Sequence, residues 1–229
     1  MAGCTRLATD LWVIARSLPL AVGDIGTRMT VVRLPDDSLF LHSPVRLDED
    51  TRRTLDDIGT VRYVVAPSKV HHFFVGDYRS AYPQARLFAA PGLAEKRPDL
   101  RFDAVLSDEP PPEWRDAIDQ HLFRGAPLVN EVVFFHPASR TLILTDLAFN
   151  FTHAPNGRAR VFSWLVGATG RFGPHRMMRA FIRDRGAARD SVRRVLAWDF
   201  DRITVTHGAI LESGGKSQFA AAFAFLAPL

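Results

Sequence analysis

Two adjacent histidines, His71 and His72, follow the apolar run Val61-Arg-Tyr-Val-Val-Ala-Pro67. Two later β-rich runs close in a similar way, one on Thr145-Asp146 and one on Thr206-His207-Gly208. Imidazole nitrogen and carboxylate oxygen suit zinc, iron or manganese. Three strand ends carrying such groups point to one divalent metal ion held at the rim of a β-sheet. Neighbouring side chains on an extended strand face opposite ways, so His71 and His72 share an ion only if the backbone turns there. Asp146 also reads as a cap for the segment after it, and His207-Gly208 as a turn pair.

Competing chemistries are poorly encoded. Neither a Gly-x-Gly-x-x-Gly nor a Gly-x-x-x-x-Gly-Lys-Ser/Thr phosphate loop is present, and Ser213-Gly-Gly-Lys-Ser217 lacks the spacing of one. A Gly-x-Ser-x-Gly nucleophile elbow is also missing. Cys4 is the only cysteine, which rules out an intramolecular disulfide and a cysteine-ligated metal site and fits a reducing cytoplasm.

The elements that must position these residues begin with strands at 11–15, 29–34 and 39–42, the last two joined by a Pro-Asp-Asp-Ser turn. A helix over 48–58, acidic in its first turn and stopped by Gly59, feeds a strand at 61–65. A helix at 73–82 ends before Pro83 and a strand follows at 86–89. Residues 94–114, with Pro110-Pro-Pro112, show no periodicity and read as a long surface loop. Strands at 119–123, 131–135 and 141–145 form a second meander. Helices at 162–168, 176–185 and 188–198, a strand at 203–206 and a helix at 217–226 complete the chain. Two meanders, each followed by helices, indicate two sheets packed face to face with helices outside.

With 229 residues, 47% hydrophobic and 24% charged, the chain has the composition of a packed globular protein, expected as a single domain over 1–229. The apolar stretch 11–22 is broken by Arg16 and Pro19 and fits neither a signal peptide nor a membrane span. The formal net charge is +4, and residues 171–194 hold eight arginines against two aspartates. Met177, Met178, Phe181, Ile182, Val192, Val195 and Leu196 recur there at near-helical spacing. That favours amphipathic helices with solvated arginine faces over a nucleic-acid surface.

The order of elements, with Pro67-Ser-Lys-Val-His-His72, Leu142-Ile-Leu-Thr-Asp146 and Val205-Thr-His-Gly208, resembles the metallo-β-lactamase-like superfamily. With Arg-Met-Thr-Val-Val-Arg-Leu-Pro at 28–35 and Ala-Pro-Gly-Leu-Ala-Glu-Lys-Arg-Pro-Asp at 90–99, the chain is similar to its branch called domain of unknown function 4336. The resemblance covers nearly the whole chain and implies an αββα four-layer sandwich, a mixed α/β (α+β) fold with a dinuclear site along the sheet edges. Laid on the superfamily motif His-x-His-x-Asp-His, Pro67 and Lys69 replace the first two histidines, His71 replaces the aspartate and His72 keeps the last histidine. Residues 124–130, where a further histidine of the same metal belongs, contain none.

The resemblance therefore implies that one metal's ligands are lost. His71 or His72, Asp146 and His207 are left to hold the other, zinc first, with iron or manganese as alternatives, and His72 matches the better-kept position. Lys69 is expected to place its ammonium where the lost metal sat, and Asp146 doubles as a base. His42, where the superfamily has an aspartate-bearing strand end, reads as a ligand or as a ligand's hydrogen-bond partner. His121, His136, His153 and His175 read as surface or turn residues. Two function classes follow: a metal-dependent hydrolase (less readily an oxidoreductase) with a reduced mononuclear site, or a degenerate relative, without metal, whose cleft binds a small molecule or a protein. The substrate is open, and neither nucleic acid nor membrane is expected as a partner.

Overall fold

Strand residues alternate their side chains between two faces, and here both faces are apolar, so each sheet must be covered twice. The computed structural model describes residues 3–152 and 157–229, apart from the side chains of Ala159 and Phe162. One sheet runs in the order Cys4–Ala8, Leu11–Arg16, Thr27–Arg33, Ser38–His42, Thr60–Ala66, Arg86–Ala89 and Ala104–Val105. The first four strands pair antiparallel and the later pairings are parallel. The second sheet runs Asp119–Leu122, Val132–His136, Thr141–Ile143 and Arg202–Thr204, with the last pair parallel.

Val32, Phe40, Val65 and Phe88 of the first sheet meet Val132, Phe134 and Ile143 of the second, with Trp114 and Ile118 between them. Phe40 contacts Trp114 and Phe134 edge-on at ring separations of 5.0 and 5.3 Å, a favoured geometry for buried aromatic pairs. Their sequence neighbours turn outward. Val31, Leu41, Val64 and Leu87 pack against Leu55, Val75 and Tyr78 of the helices Glu49–Ile58 and Val75–Ala81. On the far side Val133, Phe135, Leu142 and Ile203 pack against Val192, Val195, Phe219 and Phe223 of Arg185–Leu196 and Gly215–Phe223. The layers are helix, sheet, sheet, helix, the αββα sandwich.

Most expected elements are present, with instructive differences. Cys4–Ala8 is an additional edge strand. The stretch read as a bare loop holds the short helix Leu93–Lys96, the strand Ala104–Val105 and the buried Trp114. A two-residue strand has too little pattern to read, and its partner Phe88–Ala89 supplies the pairing. The helix expected from 73 begins at Val75, leaving Phe73 and Phe74 outside it. The arginine-rich stretch forms the helices Arg176–Phe181 and Arg185–Leu196. Its arginines are not purely solvated: Arg185, Arg189 and Arg193 donate to the carbonyls of Phe225, Leu226 and Pro228, Arg171 donates to that of Gly167, and Arg179 lies over the Phe225 ring. Among the described residues no helix is long and apolar enough to cross a membrane.

The helix Glu49–Ile58 starts on Asp48, whose carboxylate accepts from the Thr51 amide at 2.7 Å and pairs with Arg16 at 3.3 Å. Burial works to raise its pKa, but the Thr51 hydroxyl and amide and Arg16 bring it down to about 2. Asp48→Ala is expected to cost about 1 kcal/mol at neutral pH. A depressed carboxyl pKa adds stability above its unfolded value near 4 and loses it as pH falls through about 2. Denaturant midpoints of the two proteins measured from pH 7 to 2 should therefore converge at the acid end.

Candidate metal centre

In sheets with parallel strands, ligands collect beyond the carboxyl ends. The segments leaving Thr60–Ala66, Thr141–Ile143 and Arg202–Thr204 carry His71, Asp146 and His207, and these three come together with ligand atoms within 4.8 Å of one another. His71 Nε2 lies 3.1 Å from Asp146 Oδ2 and 3.3 Å from His207 Nε2, and His207 Nε2 lies 3.7 Å from Asp146 Oδ1.

Each residue is held by a specific local device. The Ser68 hydroxyl accepts from the amides of Val70 and His71, turning the chain just after its strand. His71 Nδ1 then meets the Ser43 hydroxyl at 2.9 Å. His207 Nδ1 donates to the Gly26 carbonyl at 2.7 Å, so a neutral ring presents its Nε2 lone pair to the cluster. Partly buried Arg28 donates to the carbonyls of Val205 and Gly208 on either side of His207. Gly208 takes a φ of +95°, and a Cβ there would run into the Asn150 carbonyl, so glycine is required at this position.

Asp146 is held by Glu131. That buried carboxylate accepts from the amides of Thr145 at 2.7 Å, Asp146 at 2.9 Å and Leu147 at 2.8 Å. Burial, with the charge of Asp146 added, raises its pKa to about 7, while the amides that it accepts from favour the ionised form. In the sequence Glu131 reads only as the start of a strand. Its signal was a lone acid opening the apolar run Val-Val-Phe-Phe, where an unpaired charge does not belong.

The charges within the cluster are matched. Burial disfavours a charged His71, but Asp146 outweighs it and raises the imidazole pKa. Burial likewise works against the Asp146 carboxylate, and His71 holds its pKa below the ordinary value. His207, buried and beside His71, is pushed down to about 4 and stays neutral. The donor set fits a metal. Tetrahedral zinc bound at roughly 2.0–2.1 Å has ligand atoms about 3.4 Å apart, and the observed separations of 3.1, 3.3 and 3.7 Å straddle that value.

The other candidates are placed elsewhere. The pattern favoured His72 over His71, but His72 turns away and accepts from Arg97 at 2.9 Å through Nδ1. Burial and the charges of Lys96 and Arg97 push its pKa down to about 4. The Lys69 ammonium reaches the Pro127 carbonyl at 3.3 Å rather than the cluster. His42 sits in the intersheet core, edge-on to Phe134 at 5.3 Å, and burial pushes its pKa down to about 3. His136 and His175 are buried rather than at the surface. His175 caps the helix Arg176–Phe181 by accepting from the Met178 amide and packs on Phe149, 4.5 Å between rings. His121 is partly buried beside Asp108, and His153 lies outside the described residues.

Residues 9–163 match the family model for Domain of unknown function (DUF4336). The chain belongs to that family. The stretch matched includes His71 and Asp146 and ends before His207. No curated protein matches the DUF4336 chain. Solved structures give its fold, which is similar to a metallo-β-lactamase from Pontibacter korlensis at 10% identity, 99% of each chain and a TM-score of 0.68. It is also similar to a metallo-β-lactamase from Erythrobacter litoralis at 16% identity, covering 96% of this chain and 95% of that one, with a TM-score of 0.67. A third similar structure is a metallo-β-lactamase from Pseudomonas aeruginosa in a mono-zinc form, at 12% identity, 96% and 94% coverage and a TM-score of 0.64. The fold of this DUF4336 chain is metallo-β-lactamase-like.

Glu131→Ala is expected to leave three buried amides without an acceptor, at roughly 1–3 kcal/mol each, and Glu131→Gln to fall between it and the parent. Thermal melts with and without zinc measure this, and the gain from zinc should shrink in the same order. Gly208→Ala should likewise lower zinc affinity, since the loop carrying His207 must shift; calorimetric titration with zinc checks this against an unchanged circular dichroism spectrum.

Proposed function

We propose that the DUF4336 chain is a metal-dependent hydrolase with a mononuclear centre, in which His71, Asp146 and His207 hold one divalent ion, zinc first. The observation that carries this reading is the convergence of three strand-end residues at separations suited to tetrahedral zinc. The mono-zinc form of the lactamase from Pseudomonas aeruginosa lends support, since one ion is accommodated on that fold. The ion supplies Lewis acidity that polarises a carbonyl or phosphoryl oxygen and makes water a better nucleophile near neutral pH.

The protein's own groups supply the rest. One Asp146 oxygen faces His71 and the other lies toward His207. The carboxylate can thus ligate through one oxygen and take the proton from the attacking water through the other. Ser43 and the Gly26 carbonyl fix the two imidazoles, so their Nε2 atoms need no reorganisation. His175 accepts the Met178 amide on Nδ1, which leaves Nε2–H as its donor on the cavity wall.

A second reading is a binding module that has lost catalysis. It is favoured by Pro67 and Lys69 standing where the superfamily motif has histidines, and by Lys69 being tied to Pro127.

Metal analysis of protein purified without added metal, then after incubation with zinc, separates the two. About one ion per chain is expected in the parent and in His72→Ala, and none in His71→Ala or Asp146→Ala. No ion in the parent after incubation would discard the hydrolase reading in favour of the binding module; metal lost in His72→Ala but retained in His71→Ala would reassign the ligand set.

A further inference from the structure

The cluster forms the floor of a cavity of ≈ 230 Å³, room for roughly eight waters at ~30 Å³ each. Above the histidines and Asp146 its walls are almost wholly apolar, with Ile25, Val70, Val129, Phe149, Met178 and Phe181 among the lining residues. Phe73 and Met177 stand at 66% and 49% exposure and also line it. Such side chains normally prefer burial, and a cluster of them around an opening marks a place where an apolar ligand enters. The paired thioethers of Met177 and Met178 let the wall adapt to the ligand's shape.

Charge narrows the ligand further. Among the described residues that line the cavity there is no lysine or arginine, and Asp146 is the only acid. Nearby cations are committed to protein partners: Arg28 to the Val205 and Gly208 carbonyls, Arg97 to Asp99 and the Nδ1 of His72, Lys69 to Pro127 and Lys96 to the Lys69 carbonyl. Arg46 lies over the ring of Phe74, 5.8 Å from its centre, and does not line the cavity. An anionic group on the arm of a ligand, lying against the apolar walls away from the His71–Asp146–His207 floor, would be buried without a counter-charge, a costly arrangement.

We infer that this cavity takes an uncharged small molecule with an aliphatic or aromatic arm, and that its walls discriminate against the same arm bearing a negative charge. The inference names the substrate class of the proposed hydrolase and rests on that reading only for the word substrate, since binding to the walls requires neither metal nor turnover.

The test is displacement of the neutral fluorophore N-phenyl-1-naphthylamine from the full chain by methyl octyl sulfone or by octane-1-sulfonate. These two are nearly the same size and differ in charge, and neither is a strong metal ligand. The sulfone is expected to displace the fluorophore at concentrations at least tenfold lower than the sulfonate. In Met177→Arg, at a half-exposed position that tolerates the change, the gap should fall below threefold because the new guanidinium supplies the missing counter-charge. Equal displacement, preference for the sulfonate, or no binding of the fluorophore would overturn the inference. A chain that binds the sulfone preferentially but holds no metal would keep the inference and lose the hydrolase.

Discussion

The candidate centre depends on a single buried carboxylate. Glu131 lies at the mouth of the strand Val132–His136 and gathers three successive amides of the segment after Thr141–Ile143. Without an acceptor those amides would be orphaned inside the protein; with one, the chain is folded tightly around a fixed point and the Asp146 side chain faces the histidines. The arrangement puts two carboxylates close together, an unfavourable pairing that His71 offsets through its contact with Asp146. The cluster and its support are thus electrostatically one unit.

The second support works from the opposite sheet. Gly26 and Arg28, at the start of Thr27–Arg33, hold the His207 segment through its ring and two of its carbonyls. The Phe149–Asn150 strand is stitched to the same segment, with the Asn150 amide donating to the His207 carbonyl and the Ala209 amide to the Asn150 carbonyl. Each residue of the cluster is therefore presented by backbone that hydrogen bonds have fixed, and each of its imidazoles has its second nitrogen occupied.

The sequence disclosed the framework well, because strands such as Ser38–His42 and Val132–His136 are short apolar runs with turn residues at their ends. It disclosed the three strand-end residues that cluster for the same reason, since His, Asp and His each follow such a run. It favoured His72 over His71, whereas the chain brings His71 to Asp146 and His207, because the Ser68 hydroxyl turns the backbone there through hydrogen bonds that no periodicity records. Glu131 and His175 were missed as contributors because their roles come from backbone amides distant from any motif. The strand Ala104–Val105 was invisible because its pairing comes entirely from its neighbour.

The bonds from Arg28 to Gly208 and from His207 to Gly26 join residues about 180 positions apart. Loop closure over such a span must be completed before either bond forms, and topologies rich in distant contacts fold slowly. His207 is consequently held beside His71 and Asp146 only once the two sheets have docked, and the three-residue cluster is a product of the whole tertiary fold rather than of any local segment.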